Sequence, residues 1–353
     1  AKKQFCSLPL WIQKKCADIQ ISGEEQPEQI GNIPASRSGT NFSENHNHCN
    51  HQQNQQTDDT NGSTEFLKPE KDDAPREVDG KLYSVAESFC INTLVGKTSD
   101  VGTGKSWSFK DVVELVKSHP DSQLMQYVTK TDGLSTMVMY SMDSFYNSET
   151  GECKFDSEDF ISLLELCNTF PKEYDYNSGE SESTASLLRS GKVLLTSVNM
   201  SSFSDMQMFP ALYGEPVNFI GFPTNSGSGS VVGFNNRFCV AAKSKNKDGA
   251  WAFIRSFLLP DNQNKLDWNL PVNKAAFEQK IADAMKKQDD NDSVVSTWWY
   301  DDVEITIGPL TEEDAQVVRD MVYNATTEAT YDEQLMNIIT EEAEYYFNGE
   351  KSA

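Results

Sequence analysis

The chain has 353 residues, which is enough for two lobes or domains with ordinary cores and more than one compact unit usually holds. Its 54 acidic and 30 basic side chains give a formal net charge of −24. A field of that sign repels phosphate backbones and anionic lipid surfaces, so neither nucleic acid nor the membrane surface is an expected partner. No apolar run approaches the roughly 18 residues that a membrane-spanning helix requires.

The opening sequence AKKQFCSLPLWIQKKC is basic, but its apolar stretch is too short for the core of a signal peptide. Cys6 follows no apolar run of the kind that precedes a lipoprotein cleavage site. We therefore expect that a targeting segment has been removed or that the true beginning of the chain lies upstream. Among the seven scattered cysteines, Cys90, Cys167 and Cys239 lie in apolar runs and are predicted to be buried.

Residues 1–78 differ in composition from the rest of the chain. Residues 36–61 read SRSGTNFSENHNHCNHQQNQQTDDTN and are nearly free of apolar side chains. Such a segment buries too little surface to offset the entropy of ordering it. We therefore interpret residues 1–78 as a polar segment and linker that is disordered or foreign to the native fold.

A histidine-rich motif within this tract contains the potential metal ligands His46, His48, Cys49 and His51. Its flanking Asn and Gln residues offer no apolar frame that would orient ligands around a metal ion. Adventitious metal binding is therefore favoured over a dedicated site, and we expect neither a metal nor a cofactor.

From residue 79 onward, short apolar runs alternate with helical periods, which predicts an α/β fold. Strands are predicted at KLYSVA from Lys81, KVLLTSV from Lys192, VNFIGF from Val217 and RFCVAA from Arg237. Capped helices are predicted after Ser108, with Asp111 as the capping partner, and after Thr311, with Asp314. Three further helices have apolar stripes, formed by Phe160, Leu163, Leu164 and Cys167; by Ala250, Phe253, Ile254, Phe257 and Leu258; and by Leu335, Ile338, Ile339, Ala343 and Phe347, the last ended by Gly349.

Two motifs suggest chemistry. The segment 102–106, GTGKS, resembles the tail of a phosphate-binding loop, but Ser99 stands where its first glycine is required, so a polar turn is the better interpretation. Trp298, Trp299 and Tyr300 are adjacent aromatics beside carboxylates, an arrangement that suits sugar rings. One packed and one merely exposed ring would explain the same pattern equally well. Carboxylates are abundant, but nothing selects a pair for glycosidase chemistry, so an enzyme is the weaker class.

Six segments carry a family resemblance, in this order: GKLYSVAESFCINTLVGKTSDVG, FDSEDFISLLELCNTFP, LLRSGKVLLTSVNMSSFSDMQ, SKNKDGAWAFIRSFL, LPVNKAAF and YDEQLMNIITEEAEYYFNGEKSA. Over residues 79–353 the chain resembles family 1 extracellular solute-binding proteins of bacterial ABC importers, of the carbohydrate type. The resemblance implies a two-lobe, periplasmic-binding-protein-like α/β fold (type II) that closes on its ligand by hinge bending. It implies a first lobe from 79–90 and 231–353 and a second from 91–230. Because 1–78 replaces the family's opening segment, the first lobe is expected to be incomplete.

The resemblance also implies a function. The chain would be the extracellular or cell-surface component of an ABC importer, anchored as a lipoprotein in the family, which captures a sugar or oligosaccharide and delivers it to membrane permease subunits. We expect a monomer without catalysis. Two alternatives stay open: a secreted carbohydrate-active hydrolase, and a surface interaction protein with a degenerate cleft.

Candidate ligand-binding residues follow from position within the family. The segment after the GKLY strand would edge the cleft with Glu87, Ser88 and Phe89, and the end of the KVLLTSV strand would do so with Asn199, Ser201 and Phe203. Trp298 and Trp299 are added for their aromatic character, as side chains that would close over a sugar from the other lobe. Packing at strand ends is the alternative interpretation of these positions.

Overall fold

A computed structural model describes residues 77–78, 81–82, 84–147, 150–174, 182–225, 228–286, 296–325, 327–329 and 331–353. The tract predicted to be disordered, apart from residues 77–78, and the whole histidine-rich motif lie outside the described residues. The described part is a mixed α/β structure around one main sheet, which confirms the predicted fold class. None of the helices in this part is both long and apolar enough to span a bilayer.

The elements are numbered in chain order. The strands are β1 Glu77–Val78, β2 Lys81–Leu82, β3 Val85–Lys97, β4 Gln123–Met125, β5 Tyr146–Asn147, β6 Glu152–Cys153, β7 Val193–Met200, β8 Val217–Phe219, β9 Val231–Phe238, β10 Leu270–Pro271, β11 Ser296–Tyr300, β12 Val303–Ile307 and β13 Thr327–Glu328. The α-helices are α1 Thr98–Val101, α2 Phe109–Ser118, α3 Lys130–Tyr140, α4 Glu158–Cys167, α5 Thr184–Ser190, α6 Asp205–Tyr213, α7 Lys247–Leu258, α8 Pro260–Gln263, α9 Lys274–Ala284, α10 Glu312–Tyr323 and α11 Glu333–Phe347.

The long strand β3 is the centre of the main sheet. The sheet has the order β13-β9-β3-β7-β4, and β8 and β10 also pair with β3. All the partners of β3 run antiparallel to it, and its residues 88–96 are buried without interruption. A strand that is covered on both faces and paired on both edges loses its water-facing side, which explains why the segment lacks the alternation of an exposed strand.

Two hydrophobic clusters cover the sheet. Because successive strand residues point to opposite faces, Phe89, Ile91 and Val95 of β3 join the first cluster and Leu94 joins the second. Buried residues of α5, α6, α9 and α10 complete the first cluster. Residues of α2, α3, α4 and α11 complete the second.

The C-terminal helix α11 packs against α3, although the two helices are distant in the chain. Its Leu335, Met336, Ile339 and Ala343 belong to the second cluster. By the division inferred from family resemblance, α11 would be part of the first lobe and α3 part of the second. That division at residues 90 and 230 stays a prediction.

The capped helices form as predicted. At the start of α2, the Asp111 amide donates to Ser108 Oγ (3.3 Å) and the Ser108 amide donates to Asp111 Oδ2 (2.7 Å). Thr311 and Asp314 make the same reciprocal pair at the start of α10. Each box satisfies amides that the first helical turn leaves without a partner. Gly349 adopts a φ of 75° just after α11, the left-handed conformation that ends a helix.

Three local predictions are wrong. The strand predicted from Arg237 lies earlier, at β9, because the register of β9 against β3 includes the weak strand formers Gly233 and Asn235. Cys239 follows the end of that strand and is exposed, whereas Cys90 and Cys167 are buried as predicted. Phe253 was assigned to the buried stripe of α7 but is 63% exposed, because only Ile254 and Leu258 of this helix are fully buried.

Replacement of Phe277 by alanine tests the first cluster. Phe277 is fully buried and its ring contacts those of Phe89, Phe203 and Tyr323. We expect Phe277→Ala to lower the free energy of unfolding by about 3–5 kcal/mol, the scale of a cavity left by a buried aromatic ring. The matched control Phe253→Ala should change it by less than about 1 kcal/mol, since this ring is mostly exposed. Urea titration of both variants measures the difference; similar losses in the two would contradict this core assignment.

Candidate functional site

A group of uncharged polar side chains lies where β3, β7 and β9 run side by side. Asn199 Nδ2 donates to Asn92 Oδ1 (2.9 Å) and to Cys90 Sγ (3.0 Å), and the Tyr140 hydroxyl donates to Asn92 Oδ1 (3.3 Å). The Asn235 side chain also bonds to the Cys90 thiol. We call Cys90, Asn92, Tyr140, Asn199 and Asn235 the asparagine cluster.

Strand register brings these residues together. Asn92 is paired with Asn199 across β3 and β7, and Cys90 is paired with Gly233 across β3 and β9. Cys90 and Asn92 are two residues apart on β3, so their side chains share a face of the sheet. Gly233 leaves room for them, because a Cβ atom there would lie 2.8 Å from both Asn92 Nδ2 and Cys90 Sγ.

The asparagine cluster runs from the interior of the protein to its surface. Asn92 is buried, Tyr140 and Asn235 are half-buried, and Asn199 is exposed. One face of the Tyr140 ring stacks on Phe222 at a centroid distance of 4.4 Å. The cluster therefore presents the Asn199 amide to solvent, while its inner members are held in place by hydrogen bonds and ring packing.

The side chains of the asparagine cluster carry no charge. Burial raises the pKa of the Cys90 thiol, although hydrogen bonds with the Asn199 and Asn235 side chains act in the opposite direction. Burial also raises the pKa of the Tyr140 hydroxyl, with a smaller effect from the Cys90 thiolate. Both groups are therefore protonated at physiological pH, and Cys90 acts as a polar packing group because nucleophilic attack requires the thiolate.

The first predicted segment is divided between the two faces of β3. Ser88 is buried on the face that carries Cys90 and Asn92. Glu87 lies on the opposite face, where its Oε2 accepts a hydrogen bond from Asn236 Nδ2 (3.0 Å).

Phe89, the third residue of this segment, is buried in the first hydrophobic cluster, with Phe234 and Phe277 as ring neighbours. Ligand contact by these three residues stays a prediction, and the burial of Phe89 favours a packing role.

The second predicted segment leads out of β7 from the cluster. Ser201 and Phe203 follow the strand end and are half-buried. Phe203 packs against the first hydrophobic cluster and meets the Phe277 ring edge-on at 6.2 Å. The next helix begins with Asp205, whose carboxylate accepts hydrogen bonds from the backbone N–H groups of Ser201 and Ser202. Burial nevertheless raises the pKa of Asp205 to about 6.

The tryptophan pair lies on a separate hairpin formed by β11 and β12. Val303 and Ile305 of β12 are buried in the first hydrophobic cluster, and β12 packs on α6. Trp298 and Trp299 of β11 are 37% and 64% exposed, and Trp298 meets Tyr300 edge-on. The structure does not bring the pair against the asparagine cluster, so its predicted contact with ligand stays a prediction.

The GTGKS segment lines a pocket of about 490 Å³ that is unsuited to phosphate. The carboxylates of Asp100, Asp111 and Glu114 line the same pocket and would repel an anion. The Gly102 and Gly104 carbonyls accept hydrogen bonds from Asn218 Nδ2, and Lys105 pairs with Asp320. The loop is therefore a polar turn that these contacts hold in place, in agreement with the interpretation from the sequence. No cluster of metal-ligating side chains occurs within the described ranges.

Comparison with known proteins identifies the family of the chain. The sequence profile of the family described as bacterial extracellular solute-binding protein matches residues 47–301. The chain therefore belongs to this family, which confirms the resemblance seen in the sequence. The match begins upstream of residue 79 and includes part of the polar tract.

Several solved structures are similar to part of the chain, although they share little sequence with it. The sugar-binding protein MalE from Xanthomonas citri is 13% identical, with a TM-score of 0.48 over 78% of this chain and 68% of that protein. A family 1 extracellular solute-binding protein from Alicyclobacillus acidocaldarius is 12% identical, with a TM-score of 0.45 over 78% and 69%. RafE from Streptococcus pneumoniae is 12% identical, with a TM-score of 0.43 over 81% and 76%. No curated protein sequence matches the chain.

Replacement of Gly233 by alanine tests the geometry of the cluster. The added Cβ would lie 2.8 Å from Asn92 Nδ2 and from Cys90 Sγ, so these side chains would have to leave their hydrogen-bonded positions or β9 would have to move away from β3. We expect a loss of about 1–3 kcal/mol in the free energy of unfolding, as for other overpacked sites. Gly308→Ala is the control, because a Cβ atom at Gly308 meets nothing within 4 Å. Equal stability of the two variants would show that Gly233 is not needed to admit the cluster.

Replacement of Asp205 by asparagine tests the burial of its carboxyl group. Its folded-state pKa of about 6 lies above the ordinary aspartate value of 3.8, so the wild-type fold loses stability as the pH rises from about 4 to 6. Asp205→Asn avoids this loss and should be about 1–2 kcal/mol more stable than wild type at pH 7.5, with little difference near pH 4. Urea unfolding at both pH values checks it, with Asp301→Asn in an exposed turn as the control for removing one carboxylate. A variant that gains nothing at pH 7.5 would contradict the assignment.

Proposed function

We propose that this solute-binding protein captures a neutral sugar or oligosaccharide and passes it, unchanged, to the permease subunits of an ABC importer. The observation that carries the proposal is the asparagine cluster, an uncharged hydrogen-bonding surface that reaches solvent at Asn199. Family membership supports the binding role, and the chemistry of the cluster supports the choice of ligand.

Amide side chains suit sugar hydroxyls because each amide both donates and accepts hydrogen bonds, as each hydroxyl does. Asn199 and Asn235 hold their partner Cys90 from two neighbouring strands, so their amides are positioned before a ligand arrives. A carboxylate or ammonium ligand would require an opposite charge, and the asparagine cluster supplies none. The surface therefore favours a neutral, polyhydroxylated solute over an amino acid or a polyamine.

Aromatic rings complete the proposed site. The C–H faces of a sugar ring pack on aromatic faces, and such contacts add area that hydroxyl bonds alone do not. Tyr140 joins an aromatic ring to the cluster directly through its hydroxyl. Phe203, on the segment that leaves β7, is the predicted second ring. Trp298 and Trp299 are proposed to approach from another part of the cleft as the ligand is enclosed.

Binding without catalysis follows from the same chemistry. Glycoside hydrolysis requires two carboxyl groups that flank the scissile bond. The asparagine cluster contains none, and its thiol is held protonated by burial. We therefore favour transport over the hydrolase alternative. The family is extracellular, and we propose that the protein works at the cell surface beside its permease, held there by a lipid anchor as the family resemblance implies.

Calorimetric titration with a panel of neutral mono- and oligosaccharides tests this function, with an acidic sugar and a polyamine as comparison ligands. Once a ligand is found, Asn199→Ala and Asn235→Ala should each weaken its binding about 10- to 100-fold, the scale of losing one or two hydrogen bonds to a buried ligand. The matched control is Asn236→Gly on the opposite face of β9, where glycine accepts the φ of 49°. Its affinity should be unchanged.

Three outcomes would contradict the proposal. The first is binding of a charged solute in preference to every neutral sugar. The second is an unchanged affinity in both cluster variants, provided that their unfolding midpoints show an intact fold. The third is turnover of chromogenic glycosides that a single carboxylate substitution abolishes, which would establish the hydrolase alternative.

A further inference from the structure

Helix α7 exposes a group of aromatic side chains. Phe253, which is 63% exposed, meets Phe257 edge-on at 5.1 Å, and Phe257 stacks on Phe238 at 5.0 Å. We call Phe238, Phe253 and Phe257 the α7 aromatic surface. It runs from the end of β9 onto the outside of α7. These neighbouring rings form an exposed apolar patch on which another segment could bury its own apolar side chains.

The chain segment that carries most of this surface is basic, in contrast to the protein as a whole. Residues 243–265, which include α7, carry five basic side chains (Lys243, Lys245, Lys247, Arg255 and Lys265) against the acidic Asp248 and Asp261. The whole chain has a net charge of −24. An occupant of the α7 aromatic surface should therefore combine apolar and acidic residues.

Chain connectivity brings a suitable segment to this place. The first residue of β3, Val85, is paired with Phe238, so the chain that precedes β3 leaves the sheet beside the α7 aromatic surface. Residues 58–76 lie within 30 residues of Val85 in the sequence. Such a short tether gives the segment an effective concentration on the order of millimolar at the surface.

Residues 58–76, DDTNGSTEFLKPEKDDAPR, match the surface in charge and apolar content. They contain the adjacent apolar pair Phe66 and Leu67, with six acidic and three basic side chains. Residues 1–17 also contain apolar side chains, but their four lysines are opposed by no acidic residue, so the basic surface would repel them. The family match begins at residue 47 and therefore includes 58–76 but not 1–17.

We propose that residues 58–76 dock on the α7 aromatic surface, with Phe66 and Leu67 covering Phe253 and Phe257 and the acidic residues facing the lysines of 243–265. The docked segment extends the hydrophobic packing beyond β9 and covers the adjacent apolar pair Phe66 and Leu67. This role differs from the disorder that composition alone predicts for these residues.

Limited chymotrypsin digestion of the full chain tests the docking, with cleavage followed by mass spectrometry. In the unaltered protein, cleavage after Phe66 and Leu67 should be at least about tenfold slower than cleavage after Trp11, which serves as the internal reference. Phe253→Ser should remove this difference and leave the rate at Trp11 unchanged. Trp299→Ser, which alters an equally exposed aromatic residue on β11, should leave the protection intact. High salt should weaken the protection by screening the charges.

Equal cleavage rates at Phe66 and Trp11 in the unaltered chain would overturn the proposal, as would protection that survives in Phe253→Ser. Two further measurements identify other occupants of the surface. Sedimentation velocity would detect a dimer that Phe253→Ser dissociates, and co-sedimentation with phosphatidylglycerol vesicles would detect membrane binding that this substitution abolishes. Either result, together with rapid cleavage at Phe66, would assign the surface to a second copy or to lipid instead. An unchanged unfolding midpoint in Phe253→Ser excludes misfolding as the cause.

Discussion

The burial of β3 is the constraint on which the rest of the structure depends. Nine consecutive residues of this strand, 88–96, have lost contact with water, and four of them (Ser88, Cys90, Asn92 and Thr93) carry polar side chains. Buried polar atoms without partners destabilise a fold, so β3 requires neighbours that supply hydrogen bonds as well as apolar contacts. Asn199, Tyr140 and Ser230 meet this requirement for Asn92 and Thr93. The asparagine cluster thus supplies hydrogen bonds that the buried strand requires, and its exposed member Asn199 adds a polar group to the surface.

Under the proposed function, the same arrangement lets one set of residues stabilise the fold and bind a solute. The inner members are fixed by their bonds to each other, while Asn199 at the outer end remains exposed. A site built on strands in this way is already ordered when the ligand arrives, so little binding free energy is lost to ordering side chains.

Local features of the fold could be predicted from sequence, and features set by long-range register could not. The capping boxes at Ser108 and Thr311 depend on residues three apart, and both form as predicted. The position of β9 depends on its pairing with β3, some 140 residues earlier, which overrides the low strand propensity of Gly233 and Asn235. For the same reason, the family resemblance gave Asn199 as a candidate by its position, but the sequence did not predict that Asn92, Tyr140 and Asn235 lie beside it. No local pattern marks them, because their common feature is a shared face of the sheet.

The packing of α11 on α3 has a consequence for the order in which the protein folds. The second hydrophobic cluster takes residues from Leu94 onward but is closed by Leu335, Met336, Ile339 and Ala343 near the end of the chain. During synthesis, α4 can pack on α3 early, but the part of α3 that contacts α11 stays uncovered until residues 333–347 have emerged. Contacts between segments this far apart in the chain form slowly, so the second cluster completes its packing only once α11 is available. Until then the uncovered part of α3 is exposed apolar surface of the kind that chaperones bind.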